Sequence, residues 1–270
     1  MDILRRIFDF YLRSSIHVAL AVYALVRITQ HIFHIEGDDA MAFFAFFGTI
    51  TGYNFVKYDE LARVRRKNVR REIKVFAALS FASFLAAAWC FLHLEWITQI
   101  VSVGVLALTA LYTLPFFPNR KNARNWAGVK IYIVSLCWVG VTVILPVLNA
   151  GVEITSDFYL KCIQRFILVF VLILIFEIID LAKDDPHLHT VPQQIGVKRT
   201  KIVGLLLLLL FSGLEFLEIS SDGIRVVIKL ILPVLTALFL IFANERRSRY
   251  YSAFWVESIP ILWLLLLFFS

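Results

Sequence analysis

Long apolar segments separated by short polar connections run through the whole 270-residue chain. A membrane-spanning helix needs about 20 predominantly apolar residues. By that measure the pattern predicts nine spans, at 15–35, 40–58, 75–93, 96–115, 128–148, 160–180, 201–217, 225–243 and 253–269. Ahead of them, residues 1–14 alternate apolar and basic side chains, as in an amphipathic helix lying on a membrane surface. The pattern therefore predicts an all-α integral membrane bundle with a single transmembrane domain, residues 1–270.

The connections between the predicted spans alternate in charge. Lysine and arginine collect at 5–13, 63–74, 120–130, 198–201 and 246–249, whereas the connections between these segments are acidic or neutral. Basic connections favour the cytoplasmic side of a membrane, so we predict the N-terminus inside and the C-terminus outside. Two inner connections, 59–74 and 181–200, are longer than a tight turn requires. We expect both to fold over the inner face as cytoplasmic cap loops.

Composition agrees with this interpretation and narrows the class of function. The chain is 60% hydrophobic, above the value of soluble domains, with a mean hydropathy of +0.79. Its net charge of +7 is explained by basic cytoplasmic loops, so we predict no nucleic-acid partner. The three cysteines stand apart in apolar segments and are typical of small buried hydrophobic residues. These properties indicate a multi-pass protein of a membrane such as the prokaryotic cytoplasmic membrane.

Acidic residues follow the apolar run that ends the sixth predicted span. Asp180 and Asp184 are four residues apart, and Glu177 precedes Asp180 by three, so a helix would place all three on one face. Carboxylates at the mouth of a membrane helix are costly unless a partner uses them. Magnesium is often held by one or two carboxylates together with the phosphates of a substrate. The sequence therefore predicts a metal-dependent phosphate site at this end of the sixth span.

A second polar stretch, residues 52–60, closes the second predicted span. It contains Asn54, Lys57 and Asp59, and a long basic connection follows it. The second and sixth spans thus end alike, and both ends are predicted to lie on the inner side. We expect a pocket between the two helices, covered by the two cap loops.

The motifs and their order resemble those of the UbiA-type intramembrane prenyltransferase superfamily. Its members carry Asn-x-x-x-Asp-x-x-x-Asp on the second helix and an Asp-x-x-x-Asp motif on the sixth, followed by Thr-Leu-Pro and Leu-Gly. Here the second motif is Asp180-Leu-Ala-Lys-Asp184, followed by Thr190-Val191-Pro192 and Ile195-Gly196. Tyr112-Thr113-Leu114-Pro115, with basic residues soon after it, is similar to the family's segment after the fourth helix.

The resemblance implies an enzyme that transfers a prenyl group, an alkyl group larger than methyl, from an isoprenyl diphosphate to a hydrophobic and commonly aromatic acceptor. It implies a Mg²⁺ cofactor, with Asp180 and Asp184 as catalytic metal ligands. The further metal ligands expected from the same reasoning are Asn54, Asp59 and Glu177. The residues expected to bind substrate are Lys57, Arg63, Tyr112, Arg120, Lys121 and Lys198.

The first motif departs from the family pattern. Counting from Asn54, the two expected acids fall on Tyr58 and Ala62. Asp59 lies five residues from Asn54, about 140° away around a regular helix, so it could replace a lost acid only where the helix unwinds. An alternative function is therefore a catalytically degenerate member that binds an isoprenoid or quinone lipid or acts as an assembly partner. A small-solute transporter is disfavoured, because matching glycine- or proline-broken helices are absent from the two halves.

Overall fold

The structure is a computed structural model of the full chain. It describes residues 2–64, 71–113, 128–184, 188–215 and 223–268, except for the side chains of 2, 58–64, 71–73, 111–113 and 223–229. The described residues form helices and no strand. In chain order the first helices are α1 (Asp2–Arg13), α2 (Ile16–Ile32), α3 (Asp39–Val64), α4 (Arg71–Phe91) and α5 (Trp96–Thr113).

The helical stretch at the fifth predicted span is interrupted by a π-helical segment. It consists of α6 (Val129–Val139), the π-helix π1 (Gly140–Ile144) and α7 (Leu145–Asn149). The remaining elements are α8 (Ser156–Asp180), α9 (Val191–Ile195), α10 (Val197–Glu215), α11 (Gly223–Phe242), π2 (Tyr251–Val256) and α12 (Ile259–Phe268). The prediction of an all-helical protein is thus confirmed for the described residues.

Helix α8 lies at the centre of the bundle. Its apolar side chains from Ile167 to Ile179 pack with residues of α2, α10, α11 and α12 in the largest buried cluster. Of the α8 stretch, 72% is buried inside the protein, against 17% for Lys74–Phe91 of α4. An apolar helix buried on most sides positions its ends rigidly, whereas a helix like α4 turns most of its apolar surface outward, as lipid contact requires.

Several helices are long and apolar enough to cross a membrane. Among the described residues these are Lys74–Phe91, Val129–Asn149, Ser156–Asp180 and Tyr251–Phe268. A fifth candidate is the pair α1 and α2, which meet at 55° and pass the same test only when taken together. These stretches agree with an integral membrane protein. The number of nine spans and the orientation of the termini stay predictions.

Two segments predicted as cap loops are partly helical. Residues 59–64 belong to α3 and residues 71–74 to α4, so these two helices are longer than the apolar pattern indicated. The segment 181–200 contains the short helix α9 and the first turn of α10. The sequence pattern missed these extensions because polar residues at the end of a membrane helix look like a connection even when the backbone continues to coil.

Helix α1 is amphipathic, as predicted, and is held against the start of π2. Asp9 accepts a hydrogen bond from the Tyr250 hydroxyl at 2.7 Å and forms an ion pair with Arg249. These two partners lower the pKa of the Asp9 carboxyl below its usual value, and the hydrogen bond from Tyr250 has the largest effect. The ring of Phe8 packs edge-on against Phe254, with ring centres 5.1 Å apart. The N-terminal helix is therefore docked on the C-terminal part of the chain.

Candidate functional site

The end of α8 at Asp180, which the charge pattern predicts to be the inner end, is where the apolar run gives way to acids. The helix ends at Asp180, whose carbonyl oxygen accepts hydrogen bonds from the backbone N–H groups of Lys183 and Asp184, at 2.8 and 2.9 Å. These bonds close a turn directly after the helix. Asp180 and Asp184 are therefore linked through the backbone and lie at the same end of α8.

Glu177 lies one turn deeper and is almost fully buried, with 4% of its surface exposed. Its carboxylate oxygen Oε2 accepts a hydrogen bond from the backbone N–H of Val191 at 3.1 Å. Val191 is the first residue of α9, and just before it the Thr190 backbone N–H donates a hydrogen bond to Gln193 Oε1 at 2.9 Å. Glu177 thus joins the start of α9 to the last turn of α8.

Asp180 differs from Glu177 in its access to solvent. Its side chain is 44% exposed, and Lys183 Nζ lies 3.4 Å from its carboxylate oxygen Oδ1. An exposed ion pair of this kind contributes little to stability, because water and salt screen it. The carboxylate of Asp180 is therefore able to exchange Lys183 for another cation at little energetic cost.

Helix α9 also lies close to the start of α6. A Cβ atom placed on Gly128, just before α6, would approach the Gln194 side chain to 3.3 Å. Gly128 has a φ of +70°, a conformation that glycine adopts readily. Lys130, on the first turn of α6, and Asp184 are both electrostatic neighbours of Glu177. The sequence analysis did not predict Lys130 as a site residue. In the sequence it is marked only by its position in the basic connection 120–130.

The inner part of α3 carries the second group of predicted residues. Asn54 is 2% exposed, and its Nδ2 donates a hydrogen bond to Ser80 Oγ on α4 at 3.0 Å. Ser80 in turn donates to the Phe76 carbonyl oxygen. The amide oxygen of Asn54 is buried without a hydrogen-bond partner. A buried acceptor in that state favours a ligand that supplies positive charge or a donor.

Lys57, one turn after Asn54, reaches the junction of α1 and α2. Its Nζ donates to Ser15 Oγ at 3.0 Å. Ser15 is fully buried and has a φ of 63°, which marks the sharp bend between the two helices. Next to Asn54 along α3, the Tyr53 hydroxyl accepts a hydrogen bond from Trp138 Nε1 at 3.1 Å, which links α3 to α6. Neither Ser15 nor Trp138 could be predicted, because each contact joins distant parts of the chain.

The structure gathers Glu177, Asp180 and Asp184 at one helix end, and Asn54 with Lys57 on another helix. Among the described side chains, Asn54 and Asp180 make no hydrogen bond with each other. Lys198 is exposed on the first turn of α10. The other predicted site side chains lie outside those that the structure describes: Asp59, Arg63, Tyr112, Arg120 and Lys121.

The position of Asp59 is nevertheless constrained by its backbone. Helix α3 continues without interruption to Val64. The unwinding that would bring position 59 to the side of Asn54 is therefore not present, and the two positions remain about 140° apart around the helix.

The described residues only partly prearrange a metal site. They contain no group of three or more His, Cys, Asp or Glu side chains that could hold a metal ion. Magnesium, however, is commonly held by one or two carboxylates together with substrate phosphates and water. Asp180, Asp184 and the unpaired oxygen of Asn54 are donors of the type it prefers. The residues fit a magnesium ion that binds together with a diphosphate rather than alone.

Comparison with known proteins gives a likeness at the level of structure. No protein-family model matches the sequence, and no curated protein matches it. The structure of a UbiA homologue from Archaeoglobus fulgidus bound to GPP and Mg²⁺ matches with a TM-score of 0.61 and 14% identity, over 96% of this chain and 98% of that chain. This protein has the UbiA fold.

Two further solved structures agree. A Cd²⁺-bound UbiA homologue from Archaeoglobus fulgidus has a TM-score of 0.57 at 13% identity, covering 94% of this chain and 97% of its own. A digeranylgeranylglyceryl phosphate synthase has a TM-score of 0.57 at 14% identity, covering 96% of each chain. The UbiA resemblance seen in the sequence is thus confirmed for the fold over nearly the whole chain.

Proposed function

We propose that this UbiA-fold protein is a membrane-embedded prenyltransferase, moving an isoprenyl group from an isoprenyl diphosphate to a hydrophobic, aromatic acceptor. One observation carries the proposal: the buried central helix of a UbiA fold ends in Glu177 and Asp180, with Asp184 in the turn that follows. The homologue bound to GPP and Mg²⁺ supports the class of donor and the use of a metal. The apolar helices support a location within a lipid bilayer.

In such a transfer, the bond between the allylic carbon and the diphosphate oxygen breaks with carbocation character. The carbon then bonds to the acceptor, the acceptor loses a proton, and diphosphate leaves with the electron pair of the broken bond. Negative charge therefore grows on the diphosphate as the reaction proceeds, and its stabilisation is the main task of the site. Bound Mg²⁺ would supply part of that stabilisation as a Lewis acid.

The roles of the acids follow from their surroundings. Asp180 and Asp184 are the proposed metal ligands, because they share one helix end and Asp180 is held only by an exposed pair with Lys183. Asn54 is the proposed neutral oxygen ligand, since its buried Oδ1 has no partner. Glu177 already accepts the Val191 N–H, so we assign it to holding α9 in place rather than to the metal.

The diphosphate would be contacted by basic and hydroxyl side chains at the inner ends of the helices. Lys57 is the best supported of them, because Ser15 fixes its ammonium group one turn from Asn54. An ammonium fixed in advance stabilises developing charge without reorganisation. Arg63, Tyr112, Arg120, Lys121 and Lys198 are proposed on the sequence resemblance alone.

The proposal is tested by incubating purified protein with a radiolabelled isoprenyl diphosphate, Mg²⁺ and a panel of aromatic acceptors. We expect release of pyrophosphate together with a labelled product, and loss of both in Asp180→Asn and Asp184→Asn. Turnover that persists in both variants would rule out the metal role of these acids.

A second candidate function rests on the first motif. Tyr58 and Ala62 stand where acids are expected, and α3 does not unwind to present Asp59 in their place. These observations favour a protein that binds an isoprenoid or quinone lipid, or an assembly partner, without turning it over. Native mass spectrometry would then detect a retained isoprenoid lipid while no acceptor supports pyrophosphate release.

A further inference from the structure

A group of polar side chains is buried in the outer half of α8, away from the acids at its inner end. Lys161, Gln164 and Arg165 are 8%, 3% and 4% exposed. At 1.5 Å per residue, Arg165 lies about 13 Å from the first residue of α8 and about 22 Å along the axis from Asp180. Polar groups at this depth of a membrane protein are costly and commonly mark a functional site.

Arg165 is held by neutral groups. Its guanidinium donates to the Leu25 carbonyl oxygen at 3.1 Å and to Thr29 Oγ1 at 3.3 Å, and it lies 5.6 Å from the centre of the Trp263 ring. Within the described part of the chain, no acidic side chain lies within ion-pair distance of it. An unpaired positive charge in a low-dielectric interior is unfavourable, so a negative partner would be strongly stabilised there.

Gln164 provides a second and independent observation. Both its amide nitrogen and its amide oxygen are buried, and neither has a hydrogen-bond partner. Leaving one buried polar group unpaired is already unfavourable. The Gln164 amide and the Arg165 guanidinium are therefore two buried polar groups of α8 that a ligand could satisfy among the described residues.

The neighbouring lysine does not account for this imbalance. Lys161 is paired with Glu215 of α10, with Nζ and Oε2 3.5 Å apart and both side chains less than 10% exposed. Among the described side chains, Arg165 has no such acidic partner, so its formal charge of +1 remains uncompensated. A single monovalent anion would neutralise it.

We infer that the outer half of α8 binds a monovalent anion through the Arg165 guanidinium and the Gln164 amide. The anion is either a free halide or the carboxylate group of an apolar molecule such as a fatty acid. Water could satisfy the amide, but it would leave the charge of Arg165 uncompensated. The site uses none of the residues proposed for prenyl transfer, so either proposal can fail without the other.

The first test measures the unfolding temperature of the purified full-length protein in an uncharged detergent. Sodium bromide is compared with sodium gluconate at constant ionic strength. We expect bromide to raise the unfolding temperature of the wild type, and the bromide concentration for half the effect to rise about tenfold in Gln164→Leu, which loses one donor to a charged ligand. We expect Arg165→Gln to abolish the response.

The matched control is Arg27→Gln, which removes an arginine from α2 whose partner is the exposed Asp39. It should keep the full bromide response, because its charge is not part of the buried group. Gln164→Leu also keeps the test valid if Arg165→Gln does not fold. In gluconate, Gln164→Leu should be at least as stable as the wild type, since it removes an unpaired buried amide.

The second test distinguishes the two sources of the anion. Native mass spectrometry of protein purified without added lipid would reveal a retained fatty acid, which Arg165→Gln should lose. Crystals grown in bromide should otherwise show an anomalous peak beside the Arg165 guanidinium. Equal unfolding temperatures in bromide and gluconate, with neither a retained fatty acid nor a bromide peak, would overturn the proposal.

Discussion

The inner ends of α8 and α3 resemble each other in place but differ in chemistry. Helix α8 ends with Glu177 and Asp180, and Asp184 follows in the next turn; Glu177 accepts a hydrogen bond from the Val191 N–H. Helix α3 presents a neutral amide, Asn54, bonded to Ser80 of α4, and an ammonium group, Lys57, bonded to Ser15 at the junction of α1 and α2. One helix end therefore supplies negative charge for a cation, and the other supplies positioned polar groups.

The difference between the two helix ends indicates how a site with one weakened acidic motif could still bind both a metal and a substrate. In a site with two acidic motifs, each helix end contributes to binding the metal. Here the carboxylates of α8 would carry that task, and α3 would contact the anionic substrate directly through Lys57. Variants at each helix end test whether α8 binds the metal and α3 contacts the substrate.

The largest effect is expected at the acids of α8. Asp180→Asn or Asp184→Asn should lower the rate of pyrophosphate release about 100- to 1,000-fold, because each removes a negative ligand of the metal that stabilises the leaving group. Initial rates at saturating isoprenyl diphosphate give the measurement. Asp157→Asn, at the other end of the same helix, is the control and should leave the rate unchanged. Rates near that of the wild type in both inner variants would remove α8 from the metal site.

The next effect is expected at Lys57. Lys57→Met should lower kcat/KM for the isoprenyl diphosphate about 10- to 100-fold, because it removes a fixed ammonium group from the substrate phosphates. Steady-state kinetics at several Mg²⁺ concentrations would show the loss at each of them. Lys201→Met, which removes a lysine bonded to the Ile241 carbonyl oxygen, serves as the control. Unchanged kinetics in Lys57→Met would make the contact with Ser15 purely structural.

Restoring the first motif should sharpen the contrast in the opposite direction. The double variant Tyr58→Asp with Ala62→Asp returns two acids to the positions that the family motif expects. We expect the Mg²⁺ concentration for half-maximal activity to fall about tenfold, because added carboxylates bind the cation more tightly. The double variant Tyr58→Asn with Ala62→Asn controls for polarity without charge. A fall of the same size in that control would mean that charge is not the reason.

The smallest effect separates Glu177 from the other acids. Glu177→Gln keeps an oxygen that can accept the Val191 N–H, whereas Glu177→Leu leaves that buried N–H unpaired. We expect Glu177→Leu to lower the free energy of unfolding by about 1–3 kcal/mol, and Glu177→Gln by less. Reversible unfolding in mixed micelles measures both values. A loss of activity in Glu177→Gln as large as that in Asp180→Asn would instead make Glu177 a metal ligand.

Much of the α8 region could be predicted from sequence, because its signals are local. A long apolar run that stops at Asp180 predicts both a membrane helix and an acidic end. The four-residue spacing predicted one helical face for Asp180 and Asp184, whereas the helix ends at Asp180 and Asp184 lies in the turn that follows. The α3 region was less predictable. Its polar residues from 59 onward looked like a connection, although the backbone stays helical to Val64.

The contacts that give each residue its role were outside the reach of sequence reasoning. Ser15 lies 42 positions from Lys57, and Val191 lies 14 positions from Glu177. The two hydrogen-bond partners of Arg165 are farther away in sequence, at 140 and 136 positions. Such pairs depend on how helices pack, and an apolar pattern fixes which face of a helix is buried but not which neighbour it meets.

The most direct test of the central claim is a structure of the protein with an isoprenyl diphosphate and Mn²⁺, which replaces Mg²⁺ and gives an anomalous signal. The account predicts a manganese peak about 2.0–2.3 Å from a carboxylate oxygen of Asp180 and from a diphosphate oxygen. It also predicts that Lys57 contacts the same diphosphate. A diphosphate bound away from the end of α8, or a metal that touches neither Asp180 nor Asp184, would contradict it.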